Sequence, residues 1–440
     1  MVSQEVDRCR TATLKSPESH RPEHAGLLRF SYHARMPTLT YHTAGESHGP
    51  AVTCLIYGLP GGLELDVDFI NRELKRRQGG YGRGRRQRIE SDAVTFLGGV
   101  RLGKTTGGPV AIQIPNKDSR LDDLERTPPV YRPRPGHADL AGSVKWLTTD
   151  CRNALERASA RETAGRTAAG AIARCVLRAF GIETFGFVRG MLDAVTDVQP
   201  SEQELTQLRV ARDESDVYCP DVSVSQKIID HIRQAKVDKD TLGGLVEVHV
   251  FGCPLGLGSC AHWDQKLDAR LAYAVMSIQA FKAVEIGLGK DCAFRSGSKV
   301  HDAIEYDEAR SGKPQVGFVR PSNNAGGLEG GMTNGMPIVV RGTMKPISTL
   351  LRGMPSVDLN TKEPQQSTYE RSDVCALPAA SVVMENVVAF EVARAFIEKF
   401  GGDTMHELRA NYKSYLDMVR RLPLDEPIGA SEMEADQTEA

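Results

Sequence analysis

The spacing of hydrophobic positions changes several times along this chain, and each change marks an element. Ala51–Tyr57 is a short apolar run bounded by Gly58 and Pro60, which predicts a buried strand. Over 66–77, Val67, Ile70 and Leu74 share one helical face, with Asp66 placed to cap its start. Residues 89–100 and 109–114 read as strands. Residues 150–180, rich in Ala and closed by Gly181, read as one long helix. Residues 244–250 alternate with period two, 266–282 return to helical spacing, and 338–341 are strand-like. A second long helix is predicted over 379–400, ended by Gly401-Gly402. The polar stretch 194–240 reads as an insertion with helical signals. Glycine-rich stretches at 287–298 and 325–335 lie between elements, where binding groups concentrate. Strand and helix signals alternate from 37 to 420 with no repeat and no linker, so the fold class expected is α/β, in a single large domain.

Both ends read differently. Residues 1–35 are polar and aperiodic, and three readings stand open: a disordered extension, a start-site artefact with Met36 as the true start, or a transit peptide. Glu5, Asp7, Glu18 and Glu23 weigh against the last, since transit peptides are poor in acids. The acidic tail 421–440 has no apolar period and is expected to be disordered. No apolar run is long enough to span a bilayer. Nine cysteines without a C-x-x-C pair fit free thiols in a reducing cytoplasm, and no metal-ligand spacing is present among the eleven histidines.

Charge then narrows the chemistry. The chain carries a net charge of -2, yet seven of the fourteen residues from Lys75 to Arg88 are cationic. Gly79, Gly80, Gly82 and Gly84 break that run and let several guanidiniums, Arg77 and Arg83 among them, converge on a small anion. A solvated basic loop is the plainer alternative. A nucleic-acid patch is disfavoured because only Tyr81 is available to stack on bases.

Other candidates are loop residues. His48 lies in Gly45-Glu46-Ser47-His48-Gly49, and His137 in Arg134-Pro135-Gly136-His137-Ala138-Asp139. Each reads equally well as an ordinary turn histidine, and Asp139 either orients the His137 ring or caps the next helix. Two such histidines beside an anion site would suit acid catalysis of phosphate departure. Arg157 and Ser159 precede a run of small residues that packs closely or holds a phosphate. Asp373 is either a helix cap or a carboxylate that moves a proton. The glycine-rich Gly326-Gly327-Leu328-Glu329-Gly330-Gly331 is neither a P-loop nor a dinucleotide fingerprint.

Taken in order, these motifs, with Arg76-Arg77-Gln78, Gly80-Tyr81-Gly82-Arg83-Gly84, Arg157-Ala158-Ser159-Ala160-Arg161-Glu162-Thr163 and Arg371-Ser372-Asp373, closely resemble the chorismate synthase family over about 37–410. The resemblance implies a β-α-β sandwich, two sheets enclosing helices, assembled as a homotetramer. It implies conversion of 5-enolpyruvylshikimate 3-phosphate to chorismate by a 1,4-anti elimination that needs reduced FMN without net redox change. NADPH is the possible reductant, and an external source of reduced flavin stays equally open. The partner expected is thus a small molecule, with no nucleic acid and no membrane. By the same resemblance, His48 protonates the departing phosphate, His137 protonates the reduced flavin, and Asp373 deprotonates its N5. Arg77 and Arg83 take an anionic ligand, substrate or NADPH. FMN contacts fall on Arg157, Ala158 (where many members have Ser), Ser159, Gln279, Ala280, Gly330, Lys345, Pro346, Ile347, Ser348, Thr349 and Arg371.

Overall fold

In a computed structural model of the chain, which describes residues 38–84, 90–367, 370 and 373–425, the hydrophobic periods resolve into two antiparallel sheets with helices between them. The first sheet has the strand order Thr40–Ala44, Ala51–Tyr57, Val110–Pro115, Thr95–Gly98. Val52, Cys54 and Ile56 alternate inward and stand in register with Ile114, Ile112 and Val110. The run expected to be a buried strand is fully buried on one face and half-buried on the other. The second sheet has the order Phe281–Ile286, Ile338–Met344, Gly244–Phe251, Glu183–Met191, Ala194–Val195.

Three helices fill the space between the sheets: α1 (Val67–Gln78), α4 (Thr163–Arg178) and α8 (Leu377–Phe400). Asp66 caps α1 as expected, accepting from the Phe69 N–H at 2.8 Å. Helix α8 is apolar almost all round because α4 and the strands Gly244–Phe251 and Glu183–Met191 of the second sheet cover it. The small residues of α4 permit that approach: a Cβ on Gly170 would collide with the Asn386 backbone. The sandwich implied by the motifs is the observed architecture.

Two predicted helices are shorter than the pattern suggested. Residues 150–180 are not continuous. Helix α3 (Arg152–Arg157) stops, Ser159 is extended and caps a turn of 3-10 helix at Ala160–Glu162, and α4 begins only at Thr163. Residues 266–282 divide into α7 (Leu267–Met276) and the strand from Phe281, because Ala280 takes φ 70 and turns the chain. A residue with a side chain rarely adopts that conformation, and its cost of about 1–3 kcal/mol is tolerated where surroundings impose it, often beside a binding site.

The segment 194–240 covers the outer face of the second sheet. Helix α5 (Leu205–Glu214) lays Leu205 against Phe185, Phe187 and Phe251. Helix α6 (Val222–Val237) adds Ile228 and Ile232 to the main core. This cover explains why Glu247 and His249, on the sheet's outer face, are buried and paired with Arg341 and with each other.

Candidate active site

A cavity of about 640 Å³ collects residues from loops far apart in sequence. The loop 45–50 delivers His48, and Asn116 pins that loop by donating to the Glu46 and Gly49 carbonyls. The loop after Val110–Pro115 returns to it: Arg120 and Leu121 donate their backbone N–H groups to the His48 carbonyl. Gly136, at φ 77, turns the chain that presents His137. Asp373 precedes α8, and the 79–84 loop folds against this start because Gly80, at φ 99, leaves room for Pro378 that a Cβ would fill.

Each histidine leans on a carboxylate. His48 Nδ1 lies 2.9 Å from Oε1 and 3.1 Å from Oε2 of Glu156, and Oε2 also accepts the His48 backbone N–H at 2.8 Å. Burial works to raise the Glu156 carboxyl, but His48 and Arg152 hold it below the usual carboxylate range. His137 Nδ1 makes a short 2.5 Å contact with Asp139, which Arg134 grips in turn at 2.8 Å and 3.0 Å. Burial again opposes ionisation of Asp139, and the hydrogen bonds of His137 and Arg134 more than offset it. Asp139 therefore orients the ring and is not the cap of α2 (Asp139–Lys145), whose cap position is Ala138. Ionised carboxylates only accept, so these contacts place hydrogen on Nδ1 of each ring and leave Nε2 as the other ring nitrogen.

Asp373 is not a helix cap either. It accepts from the Gly84 N–H at 2.6 Å and pairs with Arg83 at 2.6 Å. Arg77 lines the cavity, yet its side chain is 4% exposed and is held by Asp92, with Thr163 on its other arm. Asp92 is shared with Arg161. Arg76 turns the opposite way, into the interior between Glu73 and Glu385. The expected convergence of the 75–88 cations thus reduces, among the described residues, to Arg77 and Arg83. Arg85, Arg86 and Arg88 lie outside them. The other positive charges of the cavity come from elsewhere: Arg120, Arg134, Arg161, Lys282 and Lys345. Burial and the neighbouring Lys282 charge hold the Lys345 ammonium below the usual lysine range.

Among the remaining expected residues, Ala158, Ser159, Gln279, Ala280, Lys345, Ile347, Ser348 and Thr349 line the same cavity. Pro346 lies in the same stretch without lining it. Arg157 stands just outside and donates to Thr43. Gly330 sits at the tip of a hairpin joining Leu328–Glu329 to Met332–Thr333 and is not among the cavity-lining residues. Arg371 is outside the described residues.

The motifs gave no role to Glu156, Asp118, Arg120, Asp92 or Lys282. Glu156 directly precedes the quoted Arg157-Ala158-Ser159, and Lys117-Asp118-Ser119-Arg120 is a charged loop directly after a strand. Those were the available signals.

An interior sandwiched between sheets, opening on a cation-lined cavity with two buttressed histidines, has the makings of an enzyme site for a small anion. The chorismate synthase family profile matches residues 39–397. A chorismate synthase of Geobacter metallireducens is 51% identical over 396 residues, covering 87% of this chain and 99% of that protein. One from Geotalea uraniireducens is 52% identical over 390 residues, covering 86% and 99%. A solved chorismate synthase structure superposes with a TM-score of 0.71 at 38% identity, covering 88% of this chain and 99% of that one. The chain belongs to the chorismate synthase family. It is a lyase of the shikimate pathway, on the route to the aromatic amino acids.

Proposed function

We propose that the cavity holds 5-enolpyruvylshikimate 3-phosphate beside a reduced flavin mononucleotide, and that His48, His137 and Asp373 carry the proton transfers. The observation that carries this reading is the meeting of these three groups in one cation-lined cavity. The volume lies in the range of roughly 300–1,000 Å³ usual for small-molecule sites.

The residues present fit a flavin. Gln279 donates its amide to Glu162 at 3.1 Å, which leaves its Oε1 buried without a partner at the cavity wall. Arg157 Nη1 is likewise buried and unpartnered. An acceptor and a donor left open in this way suit a polar ring edge and its phosphate. Lys282, Lys345, Ala280 and the stretch 347–349 would flank it. Reduced flavin, when bound, supplies electron density while phosphate departs and then recovers it.

This chain's own groups do the rest. His48, doubly protonated, gives its Nε2 proton to the leaving phosphate as the C–O bond breaks and is left neutral with hydrogen on Nδ1. Arg120, 3.4 Å from that nitrogen, stabilises the charge that develops there. Asp118 grips Arg120 at 3.1 Å and fixes its aim. His137 holds an exchangeable proton at Nε2, with the ionised Asp139 against its Nδ1. Asp373 presents a carboxylate that accepts a proton, with Arg83 as its counter-charge. The ring loses a hydrogen and a phosphate and gains a C=C bond, so no net oxidation occurs.

Single substitutions His48→Ala, His137→Ala and Asp373→Asn test the assignment. Each is expected to lower kcat by about 10²–10⁴, the usual contribution of a general acid or base, with flavin binding retained. Near-normal turnover of all three with reduced flavin would contradict it.

A further inference from the structure

Glu156 is 2% exposed and faces the cavity through His48. We propose that Glu156 is a positioning residue for the elimination: by taking the Nδ1 proton of His48 and its backbone N–H at once, it fixes the tautomer and the ring direction that put Nε2 in the cavity. The proposal rests on the reading of His48 as proton donor and adds a residue to it.

The geometry leaves Glu156 little freedom. Its backbone carbonyl accepts from the Ser47 N–H at 3.2 Å, so the same residue grips the His48 loop by main chain and side chain. Arg152 lies 3.4 Å from Glu156 Oε1 and is itself held by the Pro128 carbonyl at 2.7 Å and 3.1 Å and by Glu370 at 3.0 Å. On the other side of the ring, Nε2 meets Arg120 at 3.4 Å and Asp118 at 3.8 Å. Arginine only donates, so the neutral ring accepts at Nε2, in agreement with a proton on Nδ1. His249 makes a comparable pair with Glu247 at 2.7 Å, but through Nε2 and beneath α5, outside the cavity lining. Carboxylate pairing by itself therefore does not mark a reactive histidine. What distinguishes His48 is that the carboxylate takes Nδ1 and leaves Nε2 facing the cavity.

A carboxylate serves two donors here, and an amide cannot. In Glu156→Gln, an oxygen kept on the His48 backbone N–H turns the NH2 toward Nδ1. The ring must then accept at Nδ1, and its hydrogen moves to Nε2. The neutral ring thereby holds its only hydrogen on Nε2, the amide blocks Nδ1 from taking a second, and a neutral imidazole is too weak an acid to release that hydrogen to phosphate, although its size and packing are unchanged.

The test is a double-mutant cycle on the full chain, assayed without oxygen with pre-reduced FMN and 5-enolpyruvylshikimate 3-phosphate, together with 15N NMR of the histidine rings. The His48 signals are assigned by their loss in His48→Ala. Glu156→Gln is expected to lower kcat by about 10²–10³ while KM changes less than about threefold. The double variant should be no slower than His48→Ala alone, since Glu156 acts through the ring. Wild-type His48 should show hydrogen on Nδ1, and Glu156→Gln should shift it to Nε2. Glu156→Asp, which keeps two acceptor oxygens, should recover part of the lost kcat. An unchanged kcat or tautomer in Glu156→Gln, or additive losses in the double variant, overturns the proposal and leaves His48 as donor intact. Near-normal turnover of His48→Ala overturns the donor reading, and the proposal with it. The NMR arm reads the tautomer even in a variant too slow to assay.

Discussion

Arg76 and Arg77 are neighbours in sequence and opposites in role. Successive residues on a helix point about 100° apart, so one guanidinium enters the Glu73–Glu385 network and the other reaches Asp92 at the cavity. That split was not legible in the sequence, because it depends on how α1 is rotated against its neighbours. The motifs did carry His48, His137 and Asp373 to one cavity. They did not give Glu156 or Arg120, whose roles come from contacts made across long stretches of chain. Asp92 holds two buried arginines, Arg77 and Arg161. Asp92→Asn should destabilise the fold by about 3–5 kcal/mol, the usual cost of stranding a buried charge, as read by urea unfolding. Arg120→Ala should lower kcat about a hundredfold, the loss expected for one preorganised group at a developing anion. A stable, fully active Arg120→Ala enzyme would remove Arg120 from the phosphate site.

At the scale of elements, α1, α8 and the strands Ala51–Tyr57, Val110–Pro115, Gly244–Phe251 and Ile338–Met344 were readable from their apolar periods. The strands Glu183–Met191 and Phe281–Ile286 were not predicted, and the helix failures lie where the chain turns to build the cavity. Ser159 is extended between α3 and α4, and Ala280 has φ 70 between α7 and its strand, yet both stretches keep helix-forming residues. Local propensity is overridden there by tertiary contacts: Ser159 bonds Ser47, and the Ala280 carbonyl accepts from the Lys345 N–H. The α4–α8 pair supplies a test of packing. Gly170→Ala should cost about 1–3 kcal/mol or more by overpacking, because the clash is with Asn386 backbone and main chain cannot swing away. An unchanged unfolding midpoint would mean that the two helices are farther apart than described here. Glu385 joins the same helices to α1 and α5 through Arg174, Arg76 and Arg212.

At the scale of the whole molecule, a chain of net charge -2 lines one cavity with seven cations and pairs its buried arginines, there and between the helices, with buried carboxylates. Asp92, Asp139, Glu156, Glu162, Glu73 and Glu385 are all held below their ordinary values of 3.8 for Asp and 4.5 for Glu, because nearby arginine or histidine partners outweigh burial. Glu391 is the opposite case, raised by burial. For the depressed groups the unfolded chain binds more protons than the folded one. Their stabilisation is complete above the ordinary carboxylate values and is lost as pH falls through the folded ones. Stability should therefore hold at neutral pH and decline from about pH 5 downward, with the loss led by these buried pairs. Acid titration followed by circular dichroism checks this. Asp92→Asn should flatten the acid dependence, since it removes one of those carboxylates. No helix among the described residues is long and apolar enough to cross a membrane.

The central claim is that this cavity performs the elimination with reduced flavin and its own proton donors. The most direct measurement mixes the enzyme, dithionite-reduced FMN and 5-enolpyruvylshikimate 3-phosphate without oxygen, and follows chorismate and phosphate together. The account predicts both products in equal amounts, with the flavin still reduced at the end and turnover falling sharply in His48→Ala. Failure to form chorismate under these conditions, or flavin oxidised in step with product, would contradict it.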